Sequence, residues 1–212
     1  MSAASLGSSC FGEFLDLLAS RTPAPGGGAA AAGSAALGIA LGEMTIAWSL
    51  GRKSLVAHEP AHRAAQDALR AARSKMLVLA DEDAAAYARV SALQRLPEGD
   101  KGRHSELPAA LLHATEVPIE GQRLSCRMLE LLAPLRETTN PHLVSDLIAG
   151  AVLLEASGRC FALNVLANAP MLGASAAAAA MVRESGELAQ RCAAALARIM
   201  HEANRPADDP NA

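Results

Sequence analysis

One segment limits the possible folds of this chain more than any other. Residues 22–44 read TPAPGGGAAAAGSAALGIALGEM: two prolines and three glycines, then a run in which almost every side chain is Ala, Gly or Ser. Three structures could use such a stretch. A phosphate-binding loop would need a Gly-Lys-Ser/Thr triplet after a strand, and alanines follow these glycines instead. A membrane span is suggested by residues 29–50, where Glu43 is the one charged side chain. Alanine contributes little to insertion, however, and a carboxylate at the centre of a span costs about 2.5–3.5 kcal/mol. The third reading is a helix from about 29 to 50 whose small side chains let neighbouring helices approach from every side, making it the central helix of a bundle. Gly26, Gly27 and Gly28 would then leave backbone amides uncovered at its start. That end carries partial positive charge and can hold a carboxylate or phosphate, the alternative being a tight turn that needs positive φ.

The rest of the chain is helical in pattern. No sustained period-two alternation and no Asn-Gly or Asp-Gly hairpin signal is present. Ser8 or Ser9 can cap a first helix containing Phe11, Phe14, Leu15, Leu17 and Leu18. A third helix begins near Pro60 and runs to about Leu96; its residues Leu69, Ala72, Met76, Leu79, Asp83, Tyr87 and Val90 recur at steps of three and four, one helix face. PEGDKGRHSELP, 97–108, is rich in breakers and reads as a loop before a fourth helix of roughly 106–136, bent near Pro118. Asn140-Pro141 supplies a cap and a first-turn proline for a fifth helix to about Ala169. A last helix covers about 174–203, and residues 204–212 form a disordered tail. The expected architecture is a single all-α domain over 1–212, a bundle of five to six long antiparallel helices.

Composition narrows the function. Aromatics are 2% of the chain and the formal net charge is −3, which argues against nucleic acid, since no basic face or stacking platform is available. A core rich in alanine is thin, so a homodimer is expected to supplement it. Cys10, Cys126, Cys160 and Cys192 are far apart and read as reduced, mostly buried thiols of a cytoplasmic protein without a membrane segment. The N-terminus lacks the basic and apolar regions of a secretory signal.

His58-Glu59-Pro60-Ala61-His62 has the letters of a zinc-protease signature, which requires both histidines on one helical turn. A proline at its third position belongs at a helix start and leaves His58 outside, so no metal is expected there. His104, His113 and His201 read as surface or loop residues. Asp83 stands out because it falls on an apolar stripe, where a carboxylate must be paired or pKa-shifted. Ser145 and Asp146 lie at the start of the fifth helix, where the dipole favours the ionised carboxylate. Asn164 and Asn168 are one turn apart further along it. Eighteen residues separate Asp146 from Asn164, five turns and about 27 Å. Either the ligand is long or the two residues serve different sites, across a subunit boundary.

Taken in order, these pieces resemble the cyclodeaminase/cyclohydrolase family of folate enzymes. The resemblance rests on FLDLLASRTPAPGGGAAAAGSAALG from Phe14, on Trp48-Ser49-Leu50-Gly51-Arg52-Lys53, on Asp83 to Tyr87, on ATEVP at 114–118, on NPHLVSD at 140–146 and on GRCFALNVLAN at 158–168. Ser49 stands where the family pattern has threonine, and Ala47, Leu55 and His142 also depart from it. The resemblance implies an all-α homodimer that takes a tetrahydrofolate derivative as substrate, without a cofactor or metal, in a cleft near the subunit interface. It implies methenyltetrahydrofolate cyclohydrolase activity first, with formiminotetrahydrofolate cyclodeaminase, or a folate-binding or structural dimer, as alternatives. In that frame Asp146 would be the ionised base, Asp83 the acid raised by burial, and Lys53 the cation steadying negative charge. Ser145, Arg159 and Asn164 would bind the folate, and Gly26 to Gly28 its anionic end.

Overall fold

The computed structural model describes residues 7, 8 and 10–203. Among these residues are six α-helices and no strand: α1 (Phe11–Ala19), α2 (Gly27–Ala47), α3 (Glu59–Gln94), α4 (Lys101–Thr138), α5 (Val144–Asn168) and α6 (Ala176–Ala203). Short 3-10 turns at Lys53–His58, Pro141–Leu143 and Ala169–Leu172 redirect the chain between them. The all-α expectation holds. The expected tail, 204–212, and one of the two expected caps, Ser9, lie outside the described residues. Cys10, not Ser8, occupies the cap position of α1, and its N–H donates to the Glu13 carboxylate at 3.4 Å.

Helices α2, α3, α4 and α5 form a four-cornered ring in which each packs on its neighbours, with α2 diagonal to α4; α6 lies against α4 and α5. The small residues of α2 set the spacing. A methyl group at Gly38 would meet the Gly150 carbonyl at 2.6 Å, and one at Gly150 would meet the Gly38 carbonyl at 2.7 Å. The backbones of α2 and α5 therefore touch, an approach open only to glycine at both positions. Ser157 on α5 donates to the Ala31 carbonyl of α2 at 2.8 Å beside this crossing. Glu43, the charge inside the small-residue run, is held by Arg73 of α3, whose Nε donates to Oε1 at 2.6 Å.

Three expectations need correction. Helix α2 is a corner of the ring, not its centre, because α3 and α5 flank it and leave Leu37, Ala40 and Ala47 exposed. Segment 97–108 is mostly helix: Asp100 accepts from the Arg103 N–H at 3.0 Å and starts α4 at Lys101, which then carries Pro108, Pro118 and Pro134 in its interior. Proline deletes one backbone hydrogen bond each time, but a 38-residue helix with a good cap tolerates that. Finally, two of the four thiols are buried, Cys126 and Cys192, while Cys10 and Cys160 are exposed. Both α2 and the stretch Pro141–Leu172 are long and apolar enough to cross a bilayer, and 56% and 44% of their most apolar windows are buried in the bundle.

Candidate functional site

The polar residues singled out in the sequence gather at the two ends of α2. At its start, Gly26 is the N-cap and provides no side chain to cover the first amides. Gly28 lies against the carboxylate of Asp83 on α3, so closely that a methyl group there would sit 2.3 Å from the carboxyl carbon. Gly27 faces Asn164 on α5, whose amide oxygen would stand 3.4 Å from such a methyl. Three helices thus bring Gly27, Gly28, Asp83 and Asn164 to one place. Asp83 makes no ion pair there among the described residues. Burial pushes its carboxyl above the usual aspartate range, the direction expected when desolvation disfavours the charged form.

Beside it a cavity of about 130 Å³ is lined by Asp83, Tyr87, Ser91, Gln94, Asn168 and Met171, with Val90 and Ala114. Tyr87 was expected on the buried stripe; it is half-exposed at this opening, one turn beyond Asp83. Asn168, one turn beyond Asn164, donates Nδ2 to the Ala114 carbonyl of α4 at 2.7 Å. Both extra residues follow the i, i+4 spacing that puts side chains on one helix face, a signal present in the sequence.

The other end of α2 holds the remaining candidates. Ser49, fully buried, donates to the Thr45 carbonyl at 2.7 Å and accepts the buried Asn140 N–H at 2.8 Å. A threonine hydroxyl could make the same two bonds, so the serine keeps the function of that position. Asn140 in turn accepts from the His142 N–H at 3.2 Å and opens the turn into α5 as expected. Ser145 and Asp146 occupy the first turn of α5, Ser145 exposed and Asp146 half-buried. Lys53 starts the 3-10 turn between α2 and α3, exposed and without an ion pair among the described residues. Arg159 is committed elsewhere: its Nε donates to the buried Glu155 one turn before it.

Within one chain, then, Asp83 and Asp146 are not neighbours. Asp83 belongs to the Asn164 end of the continuous helix α5, and Asp146 lies eighteen residues back along it, about 27 Å away. Along α2 and α5 apolar side chains are uncovered: Leu37 and Val152 between the two ends, and Leu163 and Leu166 at the Asn164 end, Leu163 being 66% exposed; Trp48, just after α2, is 65% exposed. The His58-Glu59-Pro60-Ala61-His62 segment breaks as its proline requires. His58 is the cap of α3, Pro60 lies in its first turn, and His62 alone is helical and fully buried. His104, His113 and His201 are exposed, on helices instead of loops.

A sequence model described as formiminotransferase-cyclodeaminase matches residues 10–187. The chain belongs to that family. It is 33% identical over 177 residues to the methenyltetrahydrofolate cyclohydrolase of Methylorubrum extorquens, covering 81% of this chain and 84% of that protein. It is 31% identical over 160 residues to the formimidoyltransferase-cyclodeaminase of Rattus norvegicus, but spans 29% of that longer protein's length. Among solved structures, the formiminotetrahydrofolate cyclodeaminase of Thermotoga maritima superposes with a TM-score of 0.85 at 29% identity, over 92% of this chain and 96% of that one. As in the fold expected from the sequence, the shared architecture of the family extends over nearly the whole chain.

Proposed function

We propose that this chain is a folate one-carbon enzyme, a methenyltetrahydrofolate cyclohydrolase acting as a homodimer in the cytoplasm, with no metal, membrane or nucleic acid involved. The observation that carries the reading is the Asp83 carboxyl seated on Gly28 at an uncapped helix start, in a family whose matched member of similar length bears that name. The methenyl carbon joins two folate nitrogens and shares their positive charge. Water adds to it and a base takes one of the water's protons on to solvent. The tetrahedral adduct then gives up its hydroxyl proton as the C=O forms and one C–N bond breaks, an acid protonating the departing nitrogen. The product carries a formyl group on the other nitrogen. An aspartate raised by burial suits the acid, and an aspartate in the first turn of a helix suits the base.

Asp146 lies about 27 Å from Asn164 along α5 and Asp83 sits at the Asn164 end, so the proposed site is built from two chains. The uncovered apolar side chains of α2 and α5 run from Leu37 and Val152 to Leu163 and Leu166 beside Asn164, and an antiparallel partner seated there would bring Asp146, Ser145 and Lys53 of one copy toward Asp83, Gly28 and Asn164 of the other. Lys53 then meets the negative charge of the folate, while Asn164 and the amides of Gly26 to Gly28 hold it in register; Arg159, tied to Glu155, lines the route between them.

Complementation tests this. Asp83→Asn and Asp146→Asn homodimers each turn over 5,10-methenyltetrahydrofolate on the order of a hundredfold or more slowly. When the two variants are unfolded, mixed and refolded, each heterodimer regains one intact site and about half the wild-type rate per dimer. No recovery on mixing would overturn the shared site. The close superposition on a cyclodeaminase favours ammonia release from the formimino substrate as the second reading, and the same proteins assayed with that substrate distinguish the two. Tight folate binding without turnover of either would leave the departures at Ala47, Leu55 and His142 as the mark of a binding protein.

A further inference from the structure

Pro118 sits inside α4, four residues after Ala114. In an α-helix the carbonyl of residue 114 accepts from the N–H of residue 118, and proline has none to give. Ala114 is buried, so its carbonyl would be left without a partner. Asn168, the last residue of α5, fills the gap: its Nδ2 donates to the Ala114 oxygen at 2.7 Å. Because a carbonyl can only accept, this contact fixes which end of the amide faces α4. The amide oxygen of Asn168 accepts no hydrogen bond among the described residues, and the side chain borders the cavity of about 130 Å³ shared with Asp83 and Tyr87. A cavity of about 150 Å³ holds one benzene ring, so this slightly smaller one takes at most a single ring of a ligand.

We propose that Asn168 is a specificity-determining residue of this site, braced through the carbonyl that Pro118 frees, its amide oxygen accepting from an N–H on the ring of the ligand held beside Asp83. The identity of that ligand as a folate rests on the proposed function; the brace does not. Two residues far apart in sequence, the proline of ATEVP and the final asparagine of LNVLAN, thereby act as one device. The brace sets the donor and acceptor pattern that a ring must match, since a site built to pair an N–H discriminates against rings that lack it.

Four proteins test it: wild type, Asn168→Ala, Pro118→Ala and the double variant, each full length. In urea titrations Asn168→Ala lowers the midpoint in the wild-type background. It lowers it much less in the Pro118→Ala background, where the restored backbone N–H satisfies Ala114 within the helix; the volume lost at Pro118 cancels in the comparison. With 5,10-methenyltetrahydrofolate, KM rises on the order of tenfold in Asn168→Ala, the loss expected for one neutral hydrogen bond, and stays raised in the double variant. A double variant that regains both stability and wild-type KM would make Asn168 a brace alone and overturn the specificity role. Additive midpoints would overturn the brace. Wild-type protein that neither binds nor converts a folate would sink the proposed function and the ligand part of this inference together, while the urea cycle still reads the brace.

Discussion

Gly28 and the carboxylate of Asp83 are in direct contact across the α2–α3 boundary, leaving no room for even a methyl group at position 28, which would approach the carboxylate oxygens to 2.3 and 2.4 Å. The atoms in the way are the end of a short, rotatable side chain, so a methyl would move the carboxylate and spare the fold. Gly28→Ala is therefore expected to separate stability from activity. Helix propensity favours alanine by about 0.8–1.0 kcal/mol, and the variant should unfold at an equal or higher urea concentration. Turnover should fall on the order of a hundredfold because the acid has left its place. At Gly27 the nearest atom would be an ordinary 3.4 Å away, and Gly27→Ala serves as the milder control. A destabilised Gly28→Ala with normal turnover would show that the contact matters to packing and not to chemistry.

The same carboxylate makes stability depend on pH. An aspartate in the unfolded chain titrates near 3.8, and burial holds Asp83 above that value in the folded protein. Between the two values the folded chain keeps a proton that the unfolded chain has released. Stability therefore falls as pH rises through the window and levels off above it. Asp83→Asn removes this loss. Its thermal midpoint should match wild type near pH 3.8 and exceed it at neutral pH, with turnover lost. A variant less stable than wild type at neutral pH would mean that the charged form is stabilised in the native state.

Ser49 joins the end of α2 to the start of the α5 turn through one hydroxyl with two partners, Thr45 and Asn140. Ser49→Ala leaves the buried Asn140 N–H unpaired, a cost of about 1–3 kcal/mol. Ser49→Thr keeps both bonds. In chemical denaturation the alanine variant should lose stability in that range and the threonine variant should stay close to wild type. Equal losses in the two would point to packing at position 49 in place of hydrogen bonding.

How much of this was legible in the sequence depended on whether the cause was local. Most of the helices were, because their three-to-four spacings are local, though the Ser8 cap expected for α1 gave way to Cys10; Asp83 was, because a carboxylate on an apolar stripe is an anomaly at any depth. The separation of Asp146 from Asn164 followed from counting turns on one helix. The start of α4 was not legible: prolines and glycines over 97–108 read as loop, and the Asp100 cap prevailed over them. Nor was the corner position of α2, since a run of small residues says that neighbours come close but not how many the chain supplies. The pairing of Asn168 with Ala114 requires the register of α5 against α4, which no spacing within either helix contains.

The register of α5 against α2 is set where Gly38 and Gly150 cross, and the last prediction concerns it. On α2, Gly33 and Gly38 are five residues apart, both helical, neither with positive φ. A methyl at Gly33 would meet one ring atom of Phe14 at 3.9 Å, an ordinary contact, whereas at Gly38 it would meet the Gly150 carbonyl at 2.6 Å. Alanine is favoured over glycine in both places by helix propensity, so the two substitutions differ in what surrounds them. Gly33→Ala should stabilise by up to about 1 kcal/mol. At Gly38 the obstacle is backbone and cannot rotate away; the helices must part, and overpacking of this kind costs about 1–3 kcal/mol. Parting them also stretches the Ser157 bond to Ala31 and shifts the far end of α5, where Asn164 and Asn168 lie. Gly38→Ala should therefore lose both stability and folate affinity, measured by urea midpoint and by titration with 5,10-methenyltetrahydrofolate. If Gly33→Ala and Gly38→Ala raise the midpoint alike, the α2–α5 crossing is compliant and does not hold the two ends of the site in register.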